Sequence, residues 1–329
     1  MASRHFVLSL VAVAFVLWTP ALSGTIQLKR GQDRIEVTND GRPFTTYFFP
    51  ATTAKPYVMP LKTPSGVIIT RPFPSGNDVG NADVNESSFE PHQRPLYFSH
   101  GDVDGLDFWG EQVFDQFFED HGGQAYGHMT LRRIEQVTES GDHATVRARF
   151  SLKDPNERVI AEETQTYTFR GSDRANVIDC EFVLHAVAGP VVMGDTKEGT
   201  FGIRLAEELS GPHVHMMNSH GDQGEAAIWG KPADWVSYRG TISGKPVGIS
   251  VFDSPTSFRH PTTWHARAYG LLSANPFAAR EFTKNKNADG SWTIPEGESL
   301  TFRYRVSIYD GELTREQLDE LYQQYAAGK

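Results

Sequence analysis

Three segments of the sequence concentrate the side chains that can move protons or bind a polar ligand. The first spans residues 91–109 and contains His92, Arg94, His100, Asp102 and Trp109. If 94–100 is extended, Arg94 and His100 share a face. A histidine and a carboxylate at the end of such a strand can act as a general acid or base and its orienting partner. The alternative is that His100 bonds a backbone group and that 102–105 is only a turn.

The second segment, residues 194–205, places glycines around three charged side chains. Asp195, Lys197 and Glu198 stand at the mouth of a predicted strand. Charges this close shift each other's pKa, since Lys197 favours ionised carboxylates and burial of a carboxyl group opposes ionisation. The alternative is a solvated loop held by ion pairs.

The third segment is an aromatic and basic run at residues 258–267, followed by Asn275. It contains His260, Trp264 and His265. A tryptophan face beside polar hydrogen-bonding groups suits the apolar face and hydroxyl rim of a sugar ring. The same composition also suits an aromatic corner of the core.

A metal site is the weaker hypothesis for a fourth group of residues. His213 and His215 are separated by one residue, and His220 and Asp222 follow. Two histidines spaced in this way on a strand point to the same side, and zinc uses such ligands. The spacing is common by chance, and the sequence contains no glycine-rich phosphate loop. We therefore predict no cofactor, with a divalent metal as the open alternative.

The elements that position these segments are predominantly strands, because apolar residues recur with a period of two. Residues 34–38 and 43–49 flank the turn Asn39-Asp40-Gly41, and 146–152 and 158–169 flank a second turn at 154–156. In 301–308, apolar and polar residues alternate, which predicts one buried and one solvated face. The fold class is therefore all-β, a large antiparallel sandwich of two sheets packed face to face.

Two other features of the pattern are local. Thr314 and Gln317 have capping-box spacing, and apolar residues follow at helical intervals, so we expect a short C-terminal helix lying on the sandwich. Residues 75–90 are polar and rich in glycine, which predicts a long exposed loop.

Composition and the N-terminus limit the location and the partners. The chain has 329 residues and a formal net charge of -10, which disfavours nucleic acid and anionic membranes as partners. Residues 1–23 have the pattern of a signal peptide, and the apolar run is shorter than a membrane span, so we predict a secreted or periplasmic protein without membrane insertion after cleavage. Residues 24–329 are predicted to form a single domain. Cys180 is the only cysteine and lies on the apolar side of a strand, which indicates core packing.

The chain resembles exported bacterial proteins of a domain of unknown function labelled "methane oxygenase PmoA". The resemblance rests on five blocks: 94–109, 194–199, 229–236, 259–265 and 275–277. It implies a fold like the galactose-mutarotase supersandwich and a carbohydrate substrate. Relatives tend to carry Asp-His-Pro-His-His-Arg where this chain has Phe89-Glu90-Pro91-His92-Gln93-Arg94. The label conflicts with the physics, because a methane-oxidising subunit spans the membrane and the mature chain has no spanning segment.

Two hypotheses about function follow. The preferred one is an exported enzyme that uses acid/base chemistry on a sugar or glycoside, by cleavage, elimination or epimerisation. The other is a non-catalytic glycan-binding protein on the same fold. In the first, the candidates for catalysis are His92, His100, Asp195, Lys197, Glu198, His260 and His265. The candidates for substrate binding are Arg94, Asp102, Trp109, Trp264 and Asn275.

Overall fold

A computed structural model describes residues 22–72, 92–111 and 124–328 of the chain. The predicted signal peptide up to residue 21, the predicted loop at 75–90 and the block Phe89-Glu90-Pro91 lie outside the described residues. Within the described ranges, no helix is both long enough and apolar enough to span a bilayer.

Strands are the predominant secondary structure of the described residues. In chain order the strands are β1 (Ile26–Arg30), β2 (Arg34–Asn39), β3 (Arg42–Phe48), β4 (Tyr57–Val58), β5 (Leu96–His100), β6 (Leu106–Asp107), β7 (Ala125–Tyr126), β8 (His128–Glu139), β9 (His143–Lys153), β10 (Val159–Gly171), β11 (Ala175–His185), β12 (Val191–Met193), β13 (Gly199–Arg204), β14 (His215–Asn218), β15 (Trp235–Ile242), β16 (Lys245–Asp253), β17 (Trp264–Arg267), β18 (Leu271–Ala274), β19 (Trp292–Ile294) and β20 (Ser299–Asp310). The α-helices are α1 (Glu225–Ile228), α2 (Ala279–Thr283) and α3 (Arg315–Ala326), and two 3₁₀ turns occupy Glu207–Leu209 and Gly211–His213.

The strands assemble into one large sheet and several smaller ones. The large sheet has eight strands in the order β14-β15-β16-β20-β11-β10-β9-β8, all antiparallel. Two four-stranded antiparallel sheets have the orders β17-β18-β13-β5 and β1-β2-β3-β4. Two further pairs are β12-β19 and the parallel pair β6-β7.

The main core lies between the large sheet and the two four-stranded sheets. Phe98 of β5 stacks on Phe182 of β11 with 4.3 Å between ring centroids. Tyr47 of β3 packs against Tyr167 of β10 in a tilted arrangement, with 4.9 Å between ring centroids. These aromatic contacts join the sheets face to face. The predicted all-β antiparallel sandwich is therefore confirmed.

The two predicted hairpins are present. β2 and β3 pair antiparallel around Asp40 and Gly41, whose φ angles are 50° and 72°. Asp and Gly tolerate this left-handed conformation, which a two-residue hairpin turn requires. β9 and β10 pair in the same manner around the second turn. Cys180 of β11 is 2% exposed, as its place in the alternation predicts, and burial raises the pKa of its thiol.

The C-terminal helix α3 packs on the far face of the large sheet. Thr314 and Gln317 form the predicted capping box, and Leu318 and Tyr322 pack into a second apolar cluster with Tyr309 of β20. The alternation in β20 holds except at its predicted wet end, where Ser307 is 4% exposed. The reason is the helix, because Leu318 and Tyr322 of α3 pack in one cluster with Val177, the residue of β11 that pairs with Ser307.

Candidate active site

The second face of the β17-β18-β13-β5 sheet is unusual because it is polar and yet buried. Phe98 and Phe201 point into the main core, so the residues that alternate with them point the other way. On this second face the structure places Tyr97, Ser99, Thr200, Gly202, Arg204, His265 and Ser273, each buried. Covered polar groups of this kind need partners, and the partners define the candidate site.

Trp109 packs on this face over Gly202. Its ring lies 4.7 Å from that of Tyr97, and a Cβ atom at Gly202 would come within 2.9 Å of the indole Cη2. A side chain at position 202 would therefore displace the tryptophan. Trp109 is 1% exposed, so the structure places this predicted ligand wall inside a packed aromatic cluster.

A buried ion cluster lies beside Trp109. Arg94 Nε donates to Glu111 Oε1 at 2.8 Å, and Arg94 Nη2 donates to Oε2 in a two-pronged pair. Lys55 Nζ lies 3.4 Å from Glu111 Oε1 and donates to the carbonyl of Trp109. The three side chains are between 0% and 2% exposed. Burial lowers the pKa of Lys55 to about 8, although Glu111 opposes this shift.

The backbone of residues 194–198, hereafter the 194–198 loop, is held by donors from three neighbouring segments. The hydrogen bonds are His100 Nε2 to Gly194 O (2.8 Å), Asn275 Nδ2 to Thr196 O (2.9 Å), His265 Nδ1 to Lys197 O (2.9 Å) and Gly101 N to Glu198 O (2.7 Å). The structure thus brings together the predicted segments near 100, 197 and 265–275. It joins them through carbonyl oxygens of one loop.

His100 and His265 are neutral groups in this arrangement. Burial lowers the pKa of His100 to about 4 and that of His265 to about 3. A neutral imidazole carries one N–H, and a carbonyl can only accept, so the bonded nitrogen of each ring is the donor. Both histidines therefore position the loop, and neither holds a proton for an acid step near pH 7. For His100, this agrees with the alternative of a backbone hydrogen bond.

Lys197 and Glu198 are adjacent charged residues of this loop, and both side chains are partly exposed. Their side chains are 43% and 36% exposed, and Lys197 Nζ lies 3.7 Å from Glu198 Oε1. Glu198 fits closely against Gly101, where a Cβ atom would lie 2.8 Å from the glutamate Cβ. The loop therefore presents one carboxylate and one ammonium group from a fixed backbone.

The remaining predicted carboxylates serve the backbone. Asp195 accepts hydrogen bonds from the backbone N–H groups of Arg280 and Gly290, the latter at 2.7 Å, which ties the loop to α2. Asp102 Oδ1 accepts the Gly105 N–H at 3.0 Å, as in an ordinary turn. Both roles are structural.

The predicted residues Trp264, Asn275 and His92 are enclosed. Trp264 is 0% exposed, lies in the main core and donates its indole N–H to the Ala233 carbonyl at 2.9 Å, which matches the alternative of an aromatic core corner. Asn275 holds the 194–198 loop. His92 is 6% exposed near Arg94. Arg94 precedes β5 and joins the second-face cluster, whereas His100 lies on the same face of β5 as the core residues Leu96 and Phe98, so the two do not share a face.

His260 lies apart from the 194–198 loop, beside α3. Its Nδ1 is 2.9 Å from Asp253 Oδ2, and its Nε2 is 3.5 Å from Asp234 Oδ1 and 3.4 Å from the Tyr322 hydroxyl. The hydrogen bond to Asp253 is the largest cause that raises the pKa of His260. This cluster connects the sandwich to the C-terminal helix.

Stability that depends on His260 is expected to fall as the pH increases. The raised pKa means that its contribution is complete below the ordinary value of 6.5 and is lost as pH rises through the folded-state pKa. His260→Asn keeps a donor near Nδ1 and removes the titration. Urea unfolding of both proteins between about pH 5 and 9 should show a flatter pH dependence for the variant. Identical pH slopes would contradict this assignment.

The histidines considered for metal binding do not share a strand. His213 ends a 3₁₀ turn and His215 begins β14, and both line an open cavity of about 530 Å³. Among the described residues, no group of three or more His, Cys, Asp or Glu side chains is placed to hold a metal ion.

The sequence matches a family described as "Family of unknown function (DUF6807)" over residues 34–323. The chain belongs to this family. No curated protein matches it in sequence. The family assignment agrees with the predicted domain of unknown function and says nothing about the methane oxygenase label.

Several solved structures have a similar overall arrangement to this DUF6807 member. The galactose 1-epimerase from Lactobacillus acidophilus is 10% identical with a TM-score of 0.40, covering 89% of this chain and 100% of the other. The Slr1438 protein from Synechocystis is 11% identical with a TM-score of 0.34, covering 91% and 99%. The alpha-galactosidase from Lactobacillus brevis is 9% identical with a TM-score of 0.41, covering 91% of this chain and 42% of that protein.

Sequence reasoning missed Lys55, Tyr97 and Glu111 as site residues. Glu111 stands two positions after Trp109, so extending the 91–109 segment by two residues would have included it. No such signal marks Lys55, because its partner Glu111 is far away in the sequence and the apolar residues around Lys55 do not recur with the period of a strand or a helix. Its role follows only from the tertiary contact.

Proposed function

We propose that this DUF6807 member acts on a sugar or glycoside by acid/base chemistry, with Glu198 as the proton-transferring carboxylate and Lys197 as the neighbouring cation. The observation that carries the proposal is the 194–198 loop. Four hydrogen bonds fix its carbonyl oxygens to neighbouring segments, while the side chains of Lys197 and Glu198 are 43% and 36% exposed.

The geometry suits proton transfer next to an oxygen that gains charge. A carboxylate can take a proton from a carbon or a hydroxyl group, and an ammonium group nearby stabilises the oxygen that becomes negative. Such groups act best when the backbone that carries them cannot move. In this chain His100, His265 and Asn275 are the positioning residues, because each holds the loop and does not face solvent.

A carbohydrate is the proposed substrate for two reasons. The five sequence blocks resemble exported proteins that accompany sugar-processing genes, and the net charge of -10 favours a neutral ligand over an anionic one. Export to the periplasm or beyond the cell is part of the same proposal and rests on the pattern of residues 1–23.

A non-catalytic glycan-binding protein is the second candidate. It is favoured by one observation: burial holds the pKa values of His100 and His265 at about 4 and about 3, so neither histidine titrates near neutral pH. General acid/base catalysts are most effective with a pKa near the working pH. In this alternative the loop would only bind the sugar.

A thermal-shift screen of mono- and disaccharides, with and without chelator, tests the substrate class. A ligand that binds the folded state raises the melting temperature by mass action. Each stabilising sugar is then incubated with the protein and followed by NMR for a change of anomer, epimer or chain length. Stabilisation with conversion is expected. Stabilisation without any conversion would favour the glycan-binding candidate, and no stabilisation by any sugar would refute both.

A further inference from the structure

Trp229 and Gly230 form a turn that places an indole ring next to His265. Trp229 follows α1, and Gly230 has a φ angle of 71°. A Cβ atom at Gly230 would lie only 2.8 Å from the Cβ of Phe282. Glycine is therefore required both for the left-handed conformation and for the close approach of Phe282.

Three rings enclose this corner of the second face. The Trp229 ring lies edge-on to the rings of Phe282 and His265, with centroid distances of 5.1 Å and 6.3 Å. The Phe282 ring also lies edge-on to the His265 imidazole, with 6.1 Å between centroids. The pair Trp229-Gly230 is one of the sequence blocks that the proposed function leaves without a role.

Two nitrogen atoms of these three rings lack hydrogen-bond partners among the described residues. They are Trp229 Nε1 and His265 Nε2, and both atoms are buried. The indole nitrogen can only donate. His265 gives its proton at Nδ1 to the Lys197 carbonyl at 2.9 Å, so Nε2 can only accept. An unpaired buried donor and an unpaired buried acceptor each carry a desolvation cost, and the centroids of the two rings that carry them are 6.3 Å apart.

His265 Nε2 stays unprotonated, and so remains an acceptor, near neutral pH. Burial is the largest cause that lowers the pKa of His265, and the charges of Arg267 and Lys197 act in the same direction. The lone pair on Nε2 therefore persists throughout the ordinary pH range. The corner presents one fixed donor and one fixed acceptor.

We infer that a ligand hydroxyl group binds between Trp229 Nε1 and His265 Nε2. A hydroxyl donates to the imidazole nitrogen and accepts from the indole N–H, so it satisfies both atoms at once. An ionised carboxylate has no proton for Nε2, and an ammonium group has no lone pair for the indole. A phosphate that keeps a proton would bring a negative charge into a buried site, which is costly. The ligand class is therefore a neutral polyol such as a sugar.

This inference rests on the proposed function and adds Trp229 as a substrate-binding residue. The imidazole that accepts the hydroxyl at Nε2 holds the Lys197 carbonyl at Nδ1, so the hydroxyl lies one ring away from the loop that carries Glu198.

The test is ¹⁵N NMR of the full chain, observing the Trp229 indole and the His265 imidazole. The probes are D-glucose and D-galactose, and the control is glucose with every hydroxyl methylated, which cannot donate. Both resonances are expected to shift with the same midpoint for at least one free sugar, and the His265 resonance is expected not to shift with the methylated control. The inference would be overturned if both resonances show a hydrogen bond to an ordered water in the free protein and neither shifts when a sugar is added.

Variants separate binding from packing. Trp229→Phe keeps an aromatic ring on Phe282 and removes the N–H. His265→Asn keeps a donor for the Lys197 carbonyl and removes the acceptor at the Nε2 position, which the shorter amide does not reach. Each is expected to weaken sugar binding about tenfold, the effect of one hydrogen bond. The matched control Trp292→Phe changes an exposed tryptophan and should leave binding unchanged. Unchanged affinity in both test variants would overturn the inference.

Failure here is distinguishable from failure of the proposed function. If sugars shift the backbone amides of Gly101 and Glu198 but neither ring nitrogen, the hydroxyl site is wrong and the proposed function stands. If the two ring nitrogens shift and no sugar is converted, the hydroxyl site stands and the enzymatic proposal fails.

Discussion

Replacing Glu111 by glutamine is expected to lower the free energy of unfolding by about 3–5 kcal/mol, because it leaves buried charges without their partner. Glu111 accepts both prongs of Arg94 and lies 3.4 Å from Lys55, and all three side chains are at most 2% exposed. Chemical denaturation of the purified protein measures the loss. A variant that does not fold at all would agree with the same cause.

The control for this prediction is Glu181→Gln, which breaks a partly exposed pair with Arg303. Surface pairs contribute little, so the control should unfold near the wild-type midpoint. A second variant, Glu111→Gln with Arg94→Met, removes one of the two positive charges that have lost their partner, and it should recover part of the lost stability. If Glu111→Gln alone unfolds like the control, the ion cluster does not stabilise the second face.

Glu163→Gln is expected to stabilise the protein at neutral pH. Glu163 is 2% exposed in the main core, and burial raises the pKa of its carboxyl to about 8. Between the ordinary value of 4.5 and about 8, the folded state holds a proton that the unfolded state releases, so stability falls as pH rises through this range. At pH 7 the glutamine variant avoids a cost of about 3 kcal/mol.

The neighbours of Glu163 are compatible with the amide. Gln165 Nε2 donates to Glu163 Oε1 at 2.7 Å, and Gln165 Oε1 accepts from the Tyr47 hydroxyl at 2.9 Å, so the side chain of glutamine can keep the first contact. Thermal unfolding from about pH 5 to 9 should show a gap between variant and wild type that widens with pH. The exposed change Glu296→Gln serves as the control, and a constant gap would show that Glu163 is ionised in the core.

The fold was accessible from the sequence where a local pattern determines the structure. The alternation in β20, the Asp40-Gly41 turn and the Thr314 cap each depend on residues a few positions apart, and each was predicted with nearly the observed bounds. Ser307 was predicted to be solvated, and it is buried because α3 covers that end of the sheet. A period of two identifies the two faces of a strand but does not show what covers either of them.

The site was accessible only as a set of segments. Gly194 to Glu198 and the histidines at 100 and 265 were identified by residue type, and the structure does bring them together. Their roles depend on burial: His265 holds a carbonyl because its strand lies beside the loop, and Asp195 caps backbone N–H groups of a segment about ninety positions away. Such long-range contacts leave no signal in a single sequence.

The central claim is that Glu198, held by a fixed loop, transfers the proton. The most direct measurement is the kcat of Glu198→Gln on the sugar that the wild-type protein converts, with Glu296→Gln as the matched exposed control. The account predicts a fall in kcat of about 100-fold or more, with the sugar still bound and the control unchanged. A Glu198→Gln protein that turns over at the wild-type rate would contradict it.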